Sequence, residues 1–467
     1  MLTLSHQSSH VCNVIVYNSL HTSKSAHNPL HNLNYSKVNT NKKHRNYRSC
    51  TIQNQHSNLS MTKNRESNVG CTYGDDNSQW LSLELQRLLS MQIKPSIGIV
   101  LTRGKWKWDV HESSLYQFSG IMRFYNVAKR NEIFITKVQG QLRLFSTECL
   151  NGLNTSVQII SRHPGGNPAP RKDGYWPVYI IRAGHDTSIE VVIQVKADCG
   201  KLLEDLQAIL VEVEYVSYGP HGCSTHLQHV ILPLQYTQSY NQTLSWKKVG
   251  GICSVLPVPT HLLCHLDDPV KVIKSYVLPH AKAGDIIAIS ETPLAIMQGH
   301  FRHPHSIHPG ILARLVCRLF HPTSSLATAC GMQTLIDISG ILRVVFASLL
   351  AIIARVMGIR GMFYRLAGEQ ARLIDDASGN LPPYDQFITL GPVCCQETVD
   401  NLKSETGYEV AIVDVNDLKR VQILAASFGV DRNYLELALR DNPAGNDDEQ
   451  TPIVLIRGLR PPFHATS

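Results

Sequence analysis

Three acidic clusters mark where this chain could do chemistry. The first is Ile374-Asp375-Asp376-Ala377-Ser378-Gly379, followed closely by Leu381-Pro382-Pro383-Tyr384-Asp385. The second, Ile412-Val413-Asp414-Val415-Asn416-Asp417, closes a hydrophobic run. The third, Asn442-Pro443-Ala444-Gly445-Asn446-Asp447-Asp448-Glu449, comes just before Pro452–Ile456. Hard cations such as Mg²⁺ and Mn²⁺ require carboxylate oxygens held from several elements, completed by phosphate oxygens of a substrate. Acids at the ends of strands are placed to supply them. Taken singly, each cluster also fits a solvated turn.

A fourth constellation is His300-x-x-His303-x-His305-x-x-His308, with Arg302 inside it. Imidazoles at this density can bind zinc or contact phosphate. Pro304 and Pro309 break any helix that would pair them, so the segment reads as a solvated or phosphate-facing loop rather than a metal site. Thr323-Ser324-Ser325 has no paired base in view and reads as a helix N-cap. The 12 cysteines are scattered without a Cys-x-x-Cys pair, which argues for reduced thiols rather than a disulfide framework or a zinc knuckle.

The elements that must carry these clusters change character along the chain. Residues 1–90 form a Ser-, Asn- and His-rich tail without periodic apolar positions, expected to be disordered. From 91 to 248 short apolar runs are separated by Pro/Gly breaks: Ile97–Leu101, Leu115–Phe124, Glu132–Phe145, Ser156–Ile160, Val178–Ile181, Ser188–Val195, Ile209–Tyr215 and Val230–Gln235. Alternation such as Val211 and Val213 against Glu212 and Glu214 predicts an all-β sandwich or barrel. Trp106, Trp108 and Trp176 are expected to be core or edge packing rather than a stacking platform. From 249 to 465 helices and strands mix. Asp285–Ser290, Glu409–Val415 and Pro452–Ile456 read as buried strands, and Pro269–Val277, Gln396–Thr406 and Arg432–Leu439 as helices, an α+β domain. No Walker or Gly-x-Gly-x-x-Gly loop is present.

The net charge of +7 belongs to the tail. Eight Lys/Arg and no Asp or Glu fall in residues 1–65, so the body is near neutral and gives no support for nucleic-acid binding. The tail has two competing readings, an organelle transit peptide or an over-extended reading frame with translation starting at Met61 or Met91. The second is preferred, with a cytoplasmic protein as the expectation. No apolar run reaches the ~20 residues of a membrane span. The closest, Val344–Ala354 between Arg343 and Arg355, reads as a buried core helix, with an interfacial helix as the alternative.

In order along the chain, four segments resemble the family of γ-glutamyl ligases that add glutamate to a deazaflavin coenzyme (coenzyme F420-0). They are Gly284-Asp285 with the strand leading to Gln298-Gly299, Asp376-Ala377-Ser378 with Pro382-Pro383, Thr406-Gly407 with a strand ending in Asp414, and Gly445 through Pro452-Ile453-Val454-Leu455-Ile456-Arg457-Gly458. The resemblance spans Val255 to Gly458 and leaves the β domain as an added module. It implies a ligase that uses GTP and Mg²⁺ or Mn²⁺ to phosphorylate a substrate carboxylate, after which the amine of L-glutamate attacks the acyl phosphate. It further implies a deazaflavin-type acceptor and a homodimer. On the matching positions, Asp376, Asp414 and Asp448 are the implied metal ligands. Ser378, Asn416, Gly445, Asn446 and Asp447 are implied near nucleotide and phosphate, with Asp375, Asp385, Glu449 and His300 as further candidates. The sequence departs from the family pattern at Ile296 and Gln298, where a Lys and a Glu are usual. It departs again at Val415 and Asp417, in place of Thr and Gly, and at Asn446, in place of Glu. These departures favour, as the alternative, a non-catalytic homologue that binds a nucleotide, cofactor or partner protein.

Overall fold

The computed structural model describes residues 48–52, 98–112, 114–146, 150, 152–164, 176–197, 201–220, 222–235, 244–322, 324–375, 381–416, 419–445 and 449–458. The first domain is a sandwich of two antiparallel sheets. One sheet runs β1 (Arg48–Ile52), β5 (Ile133–Ser146), β9 (Leu206–Gly219), β10 (Gly222–Pro233), with β7 (Tyr179–Ile181) also on β5. The other runs β2 (Ile99–Leu101), β4 (Leu115–Asn126), β8 (Asp186–Ala197), β6 (Leu153–Arg162), with β3 (Lys105–Glu112) also on β4. Strand β8 shows why the chain folds this way: Ile189, Val191, Ile193 and Val195 are fully buried at every second position, and the intervening residues are only partly covered. Trp106 and Trp176 are buried in the same core and Trp108 packs against it, so all three are packing residues. Each indole nitrogen of the buried pair is satisfied by a carbonyl, Trp106 on Arg103 and Trp176 on Ile135.

The second domain is built on a six-stranded sheet in the order β11 (Lys247–Val249), β12 (Cys253–Val258), β18 (Ile453–Gly458), β13 (Ile286–Ser290), β16 (Glu409–Val415), β17 (Val421–Ala426). Only β13 and β16 run parallel. One face is covered by the 269–277 helical segment, α1 (Glu291–Met297) and α6 (Cys395–Thr406); the other by α7 (Arg432–Leu439). Asp431 caps α7 through its side chain, and Gly407 ends α6 in the left-handed conformation. The Asp285 and Arg457 of two family-like segments are physically joined: Arg457 Nη2 lies 2.6 Å from Asp285 Oδ2, and its guanidinium stacks over Trp246 at 4.0 Å.

Between β13 and β15 (Ile388–Thr389) a helical cap is inserted, with α2 (Ile311–Val316), α3 (Ala329–Ser339), α4 (Ile341–Val356) and α5 (Met362–Leu366) around their own core. Helix α4 is not the buried core helix its composition predicts. Only Val344, Ala347, Ser348 and Ala354 are buried, and Ile341, Leu342, Phe346, Leu349, Ile352, Ile353 and Val356 are exposed. No single described helix is long and apolar enough to cross a membrane, and α3 and α4 meet at a 116° bend.

The two domains share an apolar seam in which Phe145 and Leu210 meet Phe301, Tyr384 and Phe387. Arg103 of the first domain reaches across it, donating to the carbonyls of Gly299 (2.8 Å) and Phe301 (3.2 Å). Gly299 has φ +76, and a Cβ there would collide with that guanidinium, so the glycine is required twice over. Beside the seam lies a polar knot. Arg143 Nη2 is 3.0 Å and His229 Nε2 3.6 Å from Glu212 Oε1, and His229 stacks on His303 at 4.3 Å. The histidine run is therefore not the solvated loop expected from its prolines. His300 and His303 are buried, while His305 and His308 are exposed. His300 Nδ1 lies 3.2 Å from the Gly391 carbonyl, latching β14 (Phe301–Arg302) beside β15.

Candidate functional site

Because β13 and β16 are parallel neighbours, their C-terminal ends reach the same edge of the sheet. Ser290, the last residue of β13, pairs with Val413, so Glu291 at the start of α1 comes beside Asp414, which is still in β16 and pairs with Gln422 of β17. Strand β18 runs antiparallel to β13 and therefore begins at that same edge; the Pro452 carbonyl accepts from the Ser290 amide at 3.0 Å. The acidic loop that ends at Gln450 enters the sheet here. Asp375 comes from the cap, held by two backbone hydrogen bonds with Thr389, both 3.0 Å. Three separate chain segments thus deliver carboxylates to one end of the sheet, the place where open α/β sheets bind ligands.

The electrostatics of this end are unbalanced. Burial pushes the Glu291 carboxyl up to about 9, and the nearby Asp414 and Asp375 charges push it the same way. Its Oε2 is enclosed by protein without a hydrogen-bond partner. Burial also raises Asp414, against the opposing charge of Arg420. The Cys395 thiol, at the start of α6, is raised to about 11 by burial and then by Glu291 and Glu369. At neutral pH Glu291 is therefore protonated, and the charge of Arg420 offsets only Asp414.

The other candidates divide cleanly. Asn416 forms the β16–β17 turn, where its Oδ1 accepts from the Arg420 amide at 3.2 Å. Gly445, φ +70, is packed so closely that a Cβ would lie 2.6 Å from the Glu449 carboxyl carbon, and Glu449 itself is exposed. Asp385 is not brought to the acidic end: it lies in the turn whose next residue, Gln386, accepts from Arg143 at 3.1 Å. Burial pushes its carboxyl up to about 6. His300 is a latch on the seam side of α1. Asp376, Ser378, Asn446, Asp447 and Asp448 lie outside the described residues, as do Asp417 and Thr323. Ser324 caps the turn that follows it, as expected for that segment.

Glu291 escaped the sequence reading, since it stands alone in Ser290-Glu291-Thr292-Pro293 with no acidic neighbour to draw notice. The signal that would have found it is the parallel register, which sequence does not display. Two of the five departures from the family pattern have visible structural roles. Ile296 fills the seam between the domains, and the Gln298 amide makes two hydrogen bonds with the Val393 backbone, 3.0 and 2.9 Å.

Among the described residues, no group of three or more His, Cys, Asp or Glu side chains stands ready to hold a metal ion. The donor chemistry nonetheless fits a hard divalent cation. All three groups are carboxylates, and the enclosed, unpaired oxygen of Glu291 is what such an ion would satisfy.

No curated protein matches the chain. Among solved structures, the GAE domain of yeast GGA1 aligns at 11% identity and TM-score 0.17, covering 30% of this chain and 96% of that one. The GAE domain of GGA2p from Saccharomyces cerevisiae aligns at 10% and 0.17, covering 30% and 100%. A protein from Archaeoglobus fulgidus aligns at 10% and 0.16, covering 29% and 98%. The β sandwich, read from sequence as an added module, is the part that a family model matches: residues 100–236 match the N-terminal Ig-like domain of F420-0:gamma-glutamyl ligase.

Proposed function

We propose that the chain is a γ-glutamyl ligase that uses GTP and a divalent cation to add L-glutamate to a deazaflavin-type precursor. The observation that carries this is the enclosed, unpaired Oε2 of Glu291 with Asp414 and Asp375 nearby, at the C-terminal side of two parallel strands. The family match over residues 100–236 supports the same reading from the other domain. In it, a substrate carboxylate oxygen attacks the γ-phosphorus, the bond to the leaving GDP breaks, and the amine of L-glutamate then displaces phosphate from the acyl carbon. That chemistry calls for charge neutralisation more than for a covalent nucleophile.

Glu291, Asp414 and Asp375 are the described residues that would hold Mg²⁺ or Mn²⁺, and the family resemblance adds Asp376 and Asp448 to that role. When bound, the cation supplies positive charge to the phosphate oxygens. Glu291 must give up its proton to take part. Gly445 lets the acidic loop turn close to this edge, and the α1 and α6 starts fix Glu291 and Cys395 around it.

The test is a thermal-shift titration of the full chain with GTP, ATP, Mg²⁺ and Mn²⁺, singly and together, followed by mass analysis for a glutamylated product. A ligand that binds only the folded state raises the melting temperature. The ligase reading expects a shift that needs nucleotide and cation together and is lost in Asp414→Asn. Ile296 and Gln298, committed to the seam and to Val393, favour a second reading, a homologue that binds nucleotide or cofactor without turnover. A cation-dependent shift with no product would select it; no shift with any combination would remove both.

A further inference from the structure

We propose that the outward face of α4 docks onto a membrane surface rich in anionic phospholipid. The face is apolar along its whole length. Leu342, Phe346, Leu349, Ile353 and Val356 repeat at steps of four and three, which places them on one side of the helix, and each is between 57% and 86% exposed. Ile352 on the same helix and Met357 and Ile359 just beyond it are exposed as well. Soluble proteins rarely leave so continuous an apolar surface without a partner.

Charge says which partner. Between Gly299 and Gly368 the only carboxylate is Asp337, and it is engaged by the buried Arg302, 2.8 Å from Arg302 Nη1. Against it stand Arg314, Arg318, Arg343, Arg355, Arg360 and Arg365, all exposed. A second copy seated on this face would bring arginines against arginines with no free carboxylate in the segment to offset them. An anionic lipid surface supplies that offset and accepts the apolar face at the depth of the acyl boundary. Arginine suits such a segment because its stem can lie along apolar surface while the guanidinium reaches headgroup phosphate. The 116° bend between α3 and α4 fits a helix lying in the interface rather than one crossing it. The inference draws on none of the carboxylate-end residues and stands apart from the ligase reading.

The experiment is co-sedimentation of the full chain with vesicles of phosphatidylcholine alone and of phosphatidylcholine with phosphatidylserine. Binding is expected only to the anionic vesicles. Phe346→Glu with Leu349→Glu should abolish it, while circular dichroism melting of that exposed-site variant stays close to the parent. Arg355→Gln with Arg360→Gln should weaken it by about fivefold for each arginine removed. Absence of binding to either vesicle overturns the proposal, as does binding that survives the double glutamate change. A concentration-dependent dimer dispersed by that change, with no vesicle binding, assigns the face to a second copy instead.

Discussion

Glu212 and Glu291 are both enclosed carboxylates, one at the seam between the domains and one at the end of the central sheet, and they have opposite surroundings. Burial pushes Glu212 upward, but its contact with His229 and the charges of Arg143, His229 and His303 outweigh it and hold its carboxyl below the usual range. Around Glu291 nothing offsets burial, and two further carboxylates add to it, so the group rises to about 9. The first pattern is that of a carboxylate offset by basic neighbours, although Glu212 Oε1 and His229 Nε2 are enclosed without a well-aligned hydrogen bond. The second is that of a joint missing one member, and it is why the carboxylate end, rather than the histidine-rich seam, is read as the place where something else must bind.

The comparison can be broken at the seam first. Arg143→Ala leaves Glu212 enclosed with its main positive neighbour gone, and a loss of about 3 kcal/mol in urea unfolding is expected. A loss below about 0.5 kcal/mol would mean that Glu212 is not held as described. Titration then gives opposite signs at the two sites. The folded-state carboxyl of Glu291 lies above its unfolded value, so the stability it contributes is whole below about pH 4.5 and falls as pH rises toward 9, by about 1.4 kcal/mol per pH unit at most. With divalent cations chelated, Glu291→Gln should melt progressively higher than the parent as pH is raised from 5 to 8. Glu212→Gln should show no trend over that range and should gain on the parent only as pH falls below about 4.5, because a lowered carboxyl contributes stability above its unfolded value and loses it as pH falls. Parallel trends at the two sites would dissolve the contrast. The smallest effect is expected at the exposed Arg420, whose charge opposes the rise of Asp414. Arg420→Gln should cost about 0.5 kcal/mol, visible as a melting difference larger at pH 8 than at pH 5.

Much of the scaffold was legible because single strands declare themselves. Period-two alternation such as Val211 and Val213 against Glu212 and Glu214 found β9, and runs such as Glu409–Val415 found the central strands. What alternation does not reveal is pairing: Glu291 and Asp414 are more than a hundred residues apart and become neighbours only through parallel register. The same limit explains His303, whose prolines advertise a loop but whose burial depends on His229 and Phe387 from distant segments. In α4, apolar composition predicts burial. The helix has far more apolar surface than Val344, Ala347, Ser348 and Ala354 use against the cap, and the remainder faces out. Strand β3, with Trp106 and Trp108 broken by charged residues, was hidden for a related reason, since its outward positions carry Lys105, Lys107 and Asp109.

The position of β18 also governs the order in which the molecule can be made. It lies between β12 and β13, in the middle of the sheet, yet it is the last of the six strands to leave the ribosome. The Ig-like sandwich can fold while synthesis continues at about 5–20 residues per second. The second domain must wait with β13 and β12 unjoined until Ile453–Gly458 arrives to close the gap. A nascent chain stalled before residue 453 would therefore leave the facing edges of β12 and β13 unpaired, and unpaired strand edges are open to association with other chains.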